Sequence, residues 1–323
     1  MNNSLNKIMH PADIILPSPF HISQNQRIEI ENRNRRCSHA EIDKLSSRGI
    51  LNTIDFAIMK MLARYRYVNA YNITVALAQE LPDGYQKDNY KKNLRKLVKA
   101  GILLRYTITE SISGDNSKRP TAISSPLRFY ELSYGAYTYI APLVHDRCQP
   151  RPALTDPQIL RQLALSQFVI HLEKNYAPCL QQVMLDIQIM CETKNIFVPA
   201  RIYTSVTPSL PSLDICLLCA RDDTESIKTL LSTVPLLSKH LEENREPQRK
   251  SMIIILTENM CDIPNIQHRL LAENNSVPPN LFYVTDTSIL SAPLFQNLFL
   301  CHESNLQYRI SHYSLTTNSE APH

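Results

Sequence analysis

Apolar residues recur at helical spacing three times between residues 52 and 99, and the spacing then changes to one typical of strands. The third predicted helix covers residues 86–99, with Gly101 as its C-cap. Runs of β-branched and aromatic residues predict strands over 102–108 and 128–132, which a long polar loop joins. Three helices followed by a hairpin are the element order of a winged helix-turn-helix, whose third helix enters the major groove of DNA.

Placed on a wheel of about 100° per residue, the third predicted helix has an apolar and a basic side. Tyr90, Leu94, Leu97 and Val98 fall together and predict the buried stripe. The other side collects cations, and the polar loop adds two more. The residues predicted to bind DNA are therefore Lys87, Lys91, Lys92, Arg95, Lys96, Lys99, Lys118 and Arg119. The pattern leaves two alternatives open: a merely solvated basic surface, or a winged helix that docks a protein.

After residue 157 the pattern alternates between helices and strands. The predicted helices cover residues 158–174, 177–193, 223–243, 263–273 and 288–300. The predicted strands and extended segments cover residues 201–206, 213–219, 252–257 and 281–285. Alternation of this kind predicts an α/β layer fold around a central sheet.

Composition divides the chain into regions of different character. Residues 1–46 are polar and Asn-rich, which predicts a flexible arm, and the proline-rich stretch 144–157 predicts a linker. The predicted division is a flexible arm over 1–46, a winged helix-turn-helix domain over 47–143, the linker over 144–157, an α/β nuclease-like domain over 158–302 and a tail over 303–323.

The distribution of charge supports this division. Residues 1–150 carry 21 Lys and Arg against 13 Asp and Glu, a net +8, whereas residues 151–323 carry 13 against 17, a net −4. A basic half joined to an acidic half predicts a polyanion-binding surface on one domain. The chain has only 5 glycines and no glycine-rich phosphate loop, which excludes the common nucleotide-binding motifs.

Apolar runs and cysteines bear on the cellular setting. No apolar run is long enough for a membrane span, and no signal peptide is visible, so we expect a cytoplasmic protein. The 8 cysteines are scattered and are expected as reduced thiols. Cys216 and Cys219 have CxxC spacing but no second ligand pair, so we expect core thiols and no metal site.

Several acids in the second half are candidates for chemistry. Asp214 opens an apolar strand, and Asp222, Asp223 and Glu225 follow that strand. Carboxylates at a strand end can hold Mg²⁺, but acids before a helix also cap it, and capping is the interpretation we favour for the last three. His171, in an apolar helix, is expected to be a half-buried histidine with its hydrogen bonds satisfied.

Over about residues 50–300 the chain resembles the replication-relaxation family of plasmids and integrative elements, which includes the MobC-type relaxases. The winged-helix rhythm and the later core strands are similar to those of the family. The stretches that carry the resemblance are 94–103, 129–135, 211–218, 235–241, 251–257 and 281–285.

The resemblance implies a restriction-endonuclease-like, or PD-(D/E)XK-like, second domain. In such nucleases one strand offers an Asp and the next an acid and a Lys, which together bind a metal and activate water. Asp214 matches the first position and is the candidate catalytic residue, but no strand with the second signature follows. Glu225 and Lys228 are nearest, at the wrong spacing and in a helix. We therefore expect an inert domain without a cofactor; only the nuclease alternative would require Mg²⁺.

The expected fold class is thus α/β, an N-terminal winged helix-turn-helix followed by a restriction-endonuclease-like domain. The expected function is sequence- or structure-specific binding of double-stranded DNA in a mobile genetic element, acting in plasmid replication, mobilisation or transcriptional control. The alternatives are a divergent metal-dependent DNA nicking enzyme and a protein-interaction module. The expected partners are double-stranded DNA, a second copy in a homodimer, and conjugation or replication proteins, with no membrane.

Overall fold

The chain is a mixed α/β protein with two β-sheets, as predicted. The computed structural model describes residues 18–22, 26–32, 36–80, 89–110, 127–144, 151–192, 194–207, 211–221, 223–291, 293–304, 307–313 and 315. The chain forms two compact units. Residues 22–170 make up the N-terminal unit, and residues 171–323 together with 1–21 make up the C-terminal unit.

The N-terminal unit combines helices with a four-stranded antiparallel sheet. Its helices are α1 (His39–Ser47), α2 (Thr53–Tyr65), α3 (Ala70–Glu80), α4 (Asn89–Ala100), α5 (Tyr134–Ile140) and the first part of α6 (Asp156–Tyr176). Its strands, in the sheet order β1-β3-β4-β2, are β1 (Gln26–Ile30), β2 (Val68–Asn69), β3 (Leu103–Glu110) and β4 (Arg128–Leu132). Leu62, Leu97 and Phe129 are fully buried where α2 packs against α4 and β4. The predicted helices are confirmed, the third of them over its described residues 89–99, and so are both predicted strands of this unit.

The described part of the predicted flexible arm differs from the expectation, because it forms regular structure. β1 pairs antiparallel with β3 and covers the open edge of the hairpin. α1 begins at a capping box, in which Ser38 and Glu41 each bond the other's backbone N–H. The polar composition concealed both elements, since the short surface helix keeps most of its side chains exposed and the edge strand has no fully buried residue.

The boundary between the units also differs from the linker that composition placed at 144–157. It falls after Ile170, inside α6. Arg151, within the predicted linker, donates to the backbone oxygen of Leu62 at 3.2 Å and lies 3.8 Å from the centre of the Tyr137 ring. Pro152 therefore precedes a helix that begins in the N-terminal unit, and Pro157 lies in the first turn of that helix.

The C-terminal unit is built on a seven-stranded mixed sheet in the order β11-β10-β9-β8-β7-β6-β5. The strands are β5 (Leu180–Cys191), β6 (Lys194–Thr204), β7 (Leu213–Cys219), β8 (Lys250–Thr257), β9 (Leu281–Thr285), β10 (Leu298–Ser304) and β11 (Gln307–Tyr313). β7, β8 and β9 are parallel, and the other neighbours are antiparallel. The helices are α7 (Thr224–Glu243), α8 (Asp262–Asn274) and α9 (Ser288–Ser291).

The central strands are buried on both faces. Ile253 and Ile255 of β8 join a core cluster with apolar residues of α7 and α8, whereas Ile254, on the opposite face, is also fully buried. A strand covered on both sides has a continuous apolar run, and β8 has one, as the sequence predicts.

Two segments of the C-terminal unit were predicted wrongly. The stretch 177–193, predicted as a helix, contains β5, and the last predicted helix, 288–300, is α9, a short 3₁₀ turn and the start of β10. β11 lies within the predicted tail, 303–323. In the segment 288–300, Pro293 lies between α9 and the 3₁₀ turn, and a proline there cannot continue the helix.

Candidate nucleic-acid interface

A polar clamp, formed by Asn52, Asp55, Asn93 and Lys96, fixes α4 against the start of α2. Asn52 and Asp55 form the capping box of α2. The side-chain amide of Asn93, on α4, donates to Asp55 Oδ1 at 2.7 Å and to Asn52 Oδ1 at 3.0 Å. Asp55 is fully buried, so the clamp lies on the inner side of α4 beside Leu94 and Leu97 of the core.

Lys96, one of the predicted DNA-binding residues, bonds groups of the protein itself. Its ammonium donates to the Asp55 carboxylate and to the backbone oxygen of Ile50 at 3.2 Å. The Lys96 side chain is 34% exposed and that of Asp55 is 0% exposed. The charge of Lys96 therefore balances a buried carboxylate, and we leave it out of the surface that faces solvent.

The outer side of α4 carries the exposed basic face, which we define as Lys91, Lys92, Arg95 and Lys99. All four side chains are exposed. Within the described residues, none of the four forms an ion pair with a carboxylate. Lys91 lies 6.0 Å from the centre of the neighbouring Tyr90 ring. Four exposed cations on one helix face, without a carboxylate partner in the described part of the chain, create a positive potential that attracts polyanions.

The remaining predicted DNA-binding residues, Lys87, Lys118 and Arg119, lie outside the described residues. Two further cations on the hairpin strands are described, and both are partly neutralised. Arg105 and Arg128 form ion pairs with Glu31, the latter at 3.6 Å. Sequence patterns did not reveal this acid, since it lies about 75 residues or more along the chain from its partners and reaches them only through the pairing of β1 with β3.

A buried network of polar side chains connects the end of α2 to the β3–β4 hairpin. The Arg66 guanidinium donates to Glu131 Oε1 at 3.1 Å, and the Tyr106 hydroxyl donates to Glu131 Oε2 at 2.7 Å. Burial and the Glu131 charge raise the pKa of Tyr67 and Tyr106, so both phenols stay protonated. Arg66 follows the last residue of α2 with a φ of 66°, and its bond to Glu131 ties this helix end to β4.

Asp214, the candidate catalytic residue, is held by an arginine of the neighbouring strand. Arg201 Nε donates to Asp214 Oδ1 at 2.9 Å, and Arg201 Nη2 donates to Oδ2 at 2.7 Å. The Arg201 guanidinium also lies 5.1 Å from the centre of the Tyr203 ring, against which Arg249 packs as well, at 4.8 Å. A bidentate pair of this kind engages both carboxylate oxygens.

The other candidates of the C-terminal unit have structural surroundings. Asp223 caps α7 by accepting the backbone N–H of Ser226 at 2.7 Å, as predicted. Glu225 is exposed in the first turn of the same helix, and Asp222 lies outside the described residues. Cys216 is fully buried in β7, where burial raises its pKa to about 12, so its thiol is protonated at neutral pH.

A buried charge cluster, not foreseen from the sequence, lies where the parallel strands end. The Arg221 guanidinium donates to both oxygens of Asp286, at 2.8 and 3.0 Å, and both residues are buried. Ser18, from the N-terminal segment, donates its hydroxyl to the same carboxylate. His21 lies 3.4 Å from Glu258, whose pKa burial raises. The N-terminal segment thus covers the carboxyl ends of β8 and β9.

No protein-family model matches the chain, and no curated protein matches it. Among the residues that the structure describes, no group of three or more His, Cys, Asp or Glu side chains is placed to hold a metal ion. In the same part of the chain, no helix has both the length and the apolar character that spanning a bilayer requires.

Proposed function

We propose that the N-terminal unit binds double-stranded DNA through the exposed basic face of α4. One observation carries the proposal: Lys91, Lys92, Arg95 and Lys99 are exposed together, without a neutralising carboxylate among the described residues. Lysine and arginine that contact phosphates release bound counterions, and this supplies much of the affinity for DNA. Because the polar clamp holds α4 from behind, the cations are already positioned before DNA arrives.

The element order supports a winged helix-turn-helix as the scaffold of this interface. α2, β2, α3, α4, β3 and β4 follow one another, and β2 pairs with β4 beside the β3–β4 hairpin. In this assignment α3 and α4 are the helix-turn-helix pair, and the loop between β3 and β4 is the wing. The second helix of such a pair enters the major groove, and here that helix carries the basic face.

For the biological setting we propose a role in a mobile genetic element, in replication, mobilisation or transcriptional control. The resemblance of residues 50–300 to the replication-relaxation family supports this setting. For the C-terminal unit we propose a non-catalytic role in the same process. Both oxygens of Asp214 bond Arg201, so the geometry does not favour the alternative of metal-dependent nicking.

The test measures binding of the full chain to a fluorescent random-sequence duplex over a range of salt concentrations. We expect the affinity to fall steeply with salt, with a slope of about −0.9 for each phosphate contacted. The variant Lys91→Ala/Arg95→Ala/Lys99→Ala should bind more weakly, and its slope should be shallower by about 2 to 3. Lys44→Ala/Arg48→Ala/Lys60→Ala is the matched control, since it removes the same charge from exposed positions outside α4.

Equal losses in the two triple variants would show that only net charge matters, and the proposed interface would be wrong. Failure of the unchanged chain to bind duplex at low salt would reject DNA binding altogether. In that case the basic face would be assigned to protein docking, the alternative that the sequence left open.

A further inference from the structure

The basic face has an internal order that bears on which of its residues reads the base sequence. Lys91, Arg95 and Lys99 are spaced four residues apart on α4. With a rise of about 1.5 Å and a turn of about 100° per residue, the two lysines are about 12 Å apart along the axis and lie about 40° to either side of Arg95. Arg95 is therefore the centre of this stripe, both along the helix and around it.

This spacing matches the groove that the helix would enter. The major groove of B-form DNA is about 12 Å wide, and the phosphates lie along its two walls. A stripe of the same length can place its terminal cations at the two walls, which leaves the central side chain above the base edges. Lys92, about 60° from Arg95 on the Lys99 side, then also points toward a wall.

The chemistry of the three residues fits these positions. A lysine ammonium is a compact charge that suits phosphate contacts, whereas the planar guanidinium of arginine can donate two parallel hydrogen bonds. The commonest specific contact in the major groove is arginine to O6 and N7 of guanine. Arg95 is the single arginine of α4 and forms no ion pair with a described carboxylate that would occupy its donors.

We propose that Arg95 reads a guanine in the major groove, while Lys91 and Lys99 contact the phosphates on its two sides. This inference rests on the proposed DNA binding and adds a specificity-determining residue to it. It also separates the roles of α4: one residue selects sequence, the lysines supply affinity that does not depend on sequence, and Lys96 and Asn93 fix the helix.

The experiment selects duplexes from a library with a randomised core, using the full chain, and sequences the bound fraction. We expect one position to be enriched in guanine. Affinity for the selected duplex should then fall about tenfold when that G·C pair is changed to A·T. Arg95→Ala should remove this preference, whereas Lys99→Ala, which removes the same charge from the same exposed face, should keep it. Lys99→Ala should also make the salt dependence shallower by about 0.9, the share of one phosphate contact.

The outcomes separate the inference from the proposal beneath it. Salt-dependent binding without guanine enrichment, or a preference that persists in Arg95→Ala, would overturn the role of Arg95 and leave DNA binding intact. Equal loss of the preference in both variants would also overturn it, since the effect would then follow charge and not the guanidinium. Absence of any duplex binding by the unchanged chain would reject both.

Discussion

Lys96 of α4 donates to the buried carboxylate of Asp55 in α2, across 41 residues of sequence. Asp55 also accepts the Asn93 amide and the backbone N–H of Asn52, so its carboxylate joins two helices and a cap. The ammonium of a lysine on the basic helix is thereby engaged by a buried carboxylate, although the Lys96 side chain is still 34% exposed. Mutation of different lysines on this one helix should therefore affect different properties, stability in one case and DNA binding in the other.

The first prediction contrasts Lys96 with Lys92, an exposed lysine on the same helix. Lys96→Ala should lower the free energy of unfolding by about 2–3 kcal/mol, because it leaves a buried carboxylate without its cation. Lys92→Ala should change stability by less than about 0.5 kcal/mol but should weaken DNA binding and its salt dependence. Urea unfolding and duplex titration of each variant measure the two effects.

The charge explanation has its own control. In Lys96→Ala/Asp55→Asn the buried charge is gone, so part of the lost stability should return. A double variant less stable than Lys96→Ala would show that Asp55 acts mainly through its hydrogen bonds to Asn52 and Asn93.

The second prediction concerns the pair of Arg201 and Asp214. Asp214→Ala should destabilise the C-terminal unit by about 2–4 kcal/mol, because it leaves the largely buried guanidinium of Arg201 without its carboxylate partner. Millimolar MgCl₂ should leave the melting temperature of the unchanged chain where it is, since Arg201 already bonds both carboxylate oxygens. Differential scanning fluorimetry with and without MgCl₂ measures both. A Mg²⁺-dependent rise that Asp214→Ala abolishes would instead identify a metal ligand.

The helices and central strands could be predicted because their patterns are local. β4, β7 and β9 have the predicted bounds, and α4 ends beside Gly101, whose φ of 74° suits glycine at a helix C-terminus. β5 was missed although Val183, Leu185, Ile187 and Ile189 alternate with other residues. The residues of β5 are also compatible with a helix, but the segment forms a strand because it pairs with β6. That pairing is a property of the tertiary structure and not of the segment alone.

The candidate sites show the same limit more clearly. The helical wheel identified the basic face of α4, because the period of a helix alone decides which residues share a side. It could not separate Lys96 from Lys99, since the acid that engages Lys96 belongs to another helix. Nor could it foresee that Asp214 is bound by Arg201, which lies on the neighbouring antiparallel strand. Which charged groups on different helices and strands pair with each other can be seen only in the folded structure.

The third prediction concerns the N-terminal segment of the C-terminal unit. Phe20 is fully buried, and its backbone N–H donates to the Ser18 hydroxyl at 3.0 Å. Phe20→Ala should destabilise this unit by about 3–5 kcal/mol, through lost apolar burial and the cavity it leaves. Phe197→Ala is the matched control, because Phe197 belongs to the same unit and is 52% exposed. Urea unfolding should show a change below about 0.5 kcal/mol for the control; similar losses in the two variants would contradict the assigned role of Phe20.

The fourth prediction is a pH dependence of stability that comes from His171. This side chain is 5% exposed, and burial, assisted by Lys174, lowers its pKa to about 4. In the unfolded chain a histidine has a pKa of about 6.5, so between those values the unfolded state binds a proton that the folded state does not. Stability should therefore be fully present above about pH 6.5 and should fall by up to about 3 kcal/mol as the pH approaches 4.

His171→Gln isolates this contribution, because glutamine stays uncharged over the whole range. The difference in unfolding free energy between the unchanged chain and the variant should shift with pH in favour of the variant below about pH 6.5. Other titrating groups, among them Glu258 with its raised pKa, act in both proteins and cancel in this difference. Urea unfolding of both proteins from about pH 7 to pH 5 measures it. A difference that stays constant over that interval would mean that His171 is protonated as readily in the fold as in the unfolded chain.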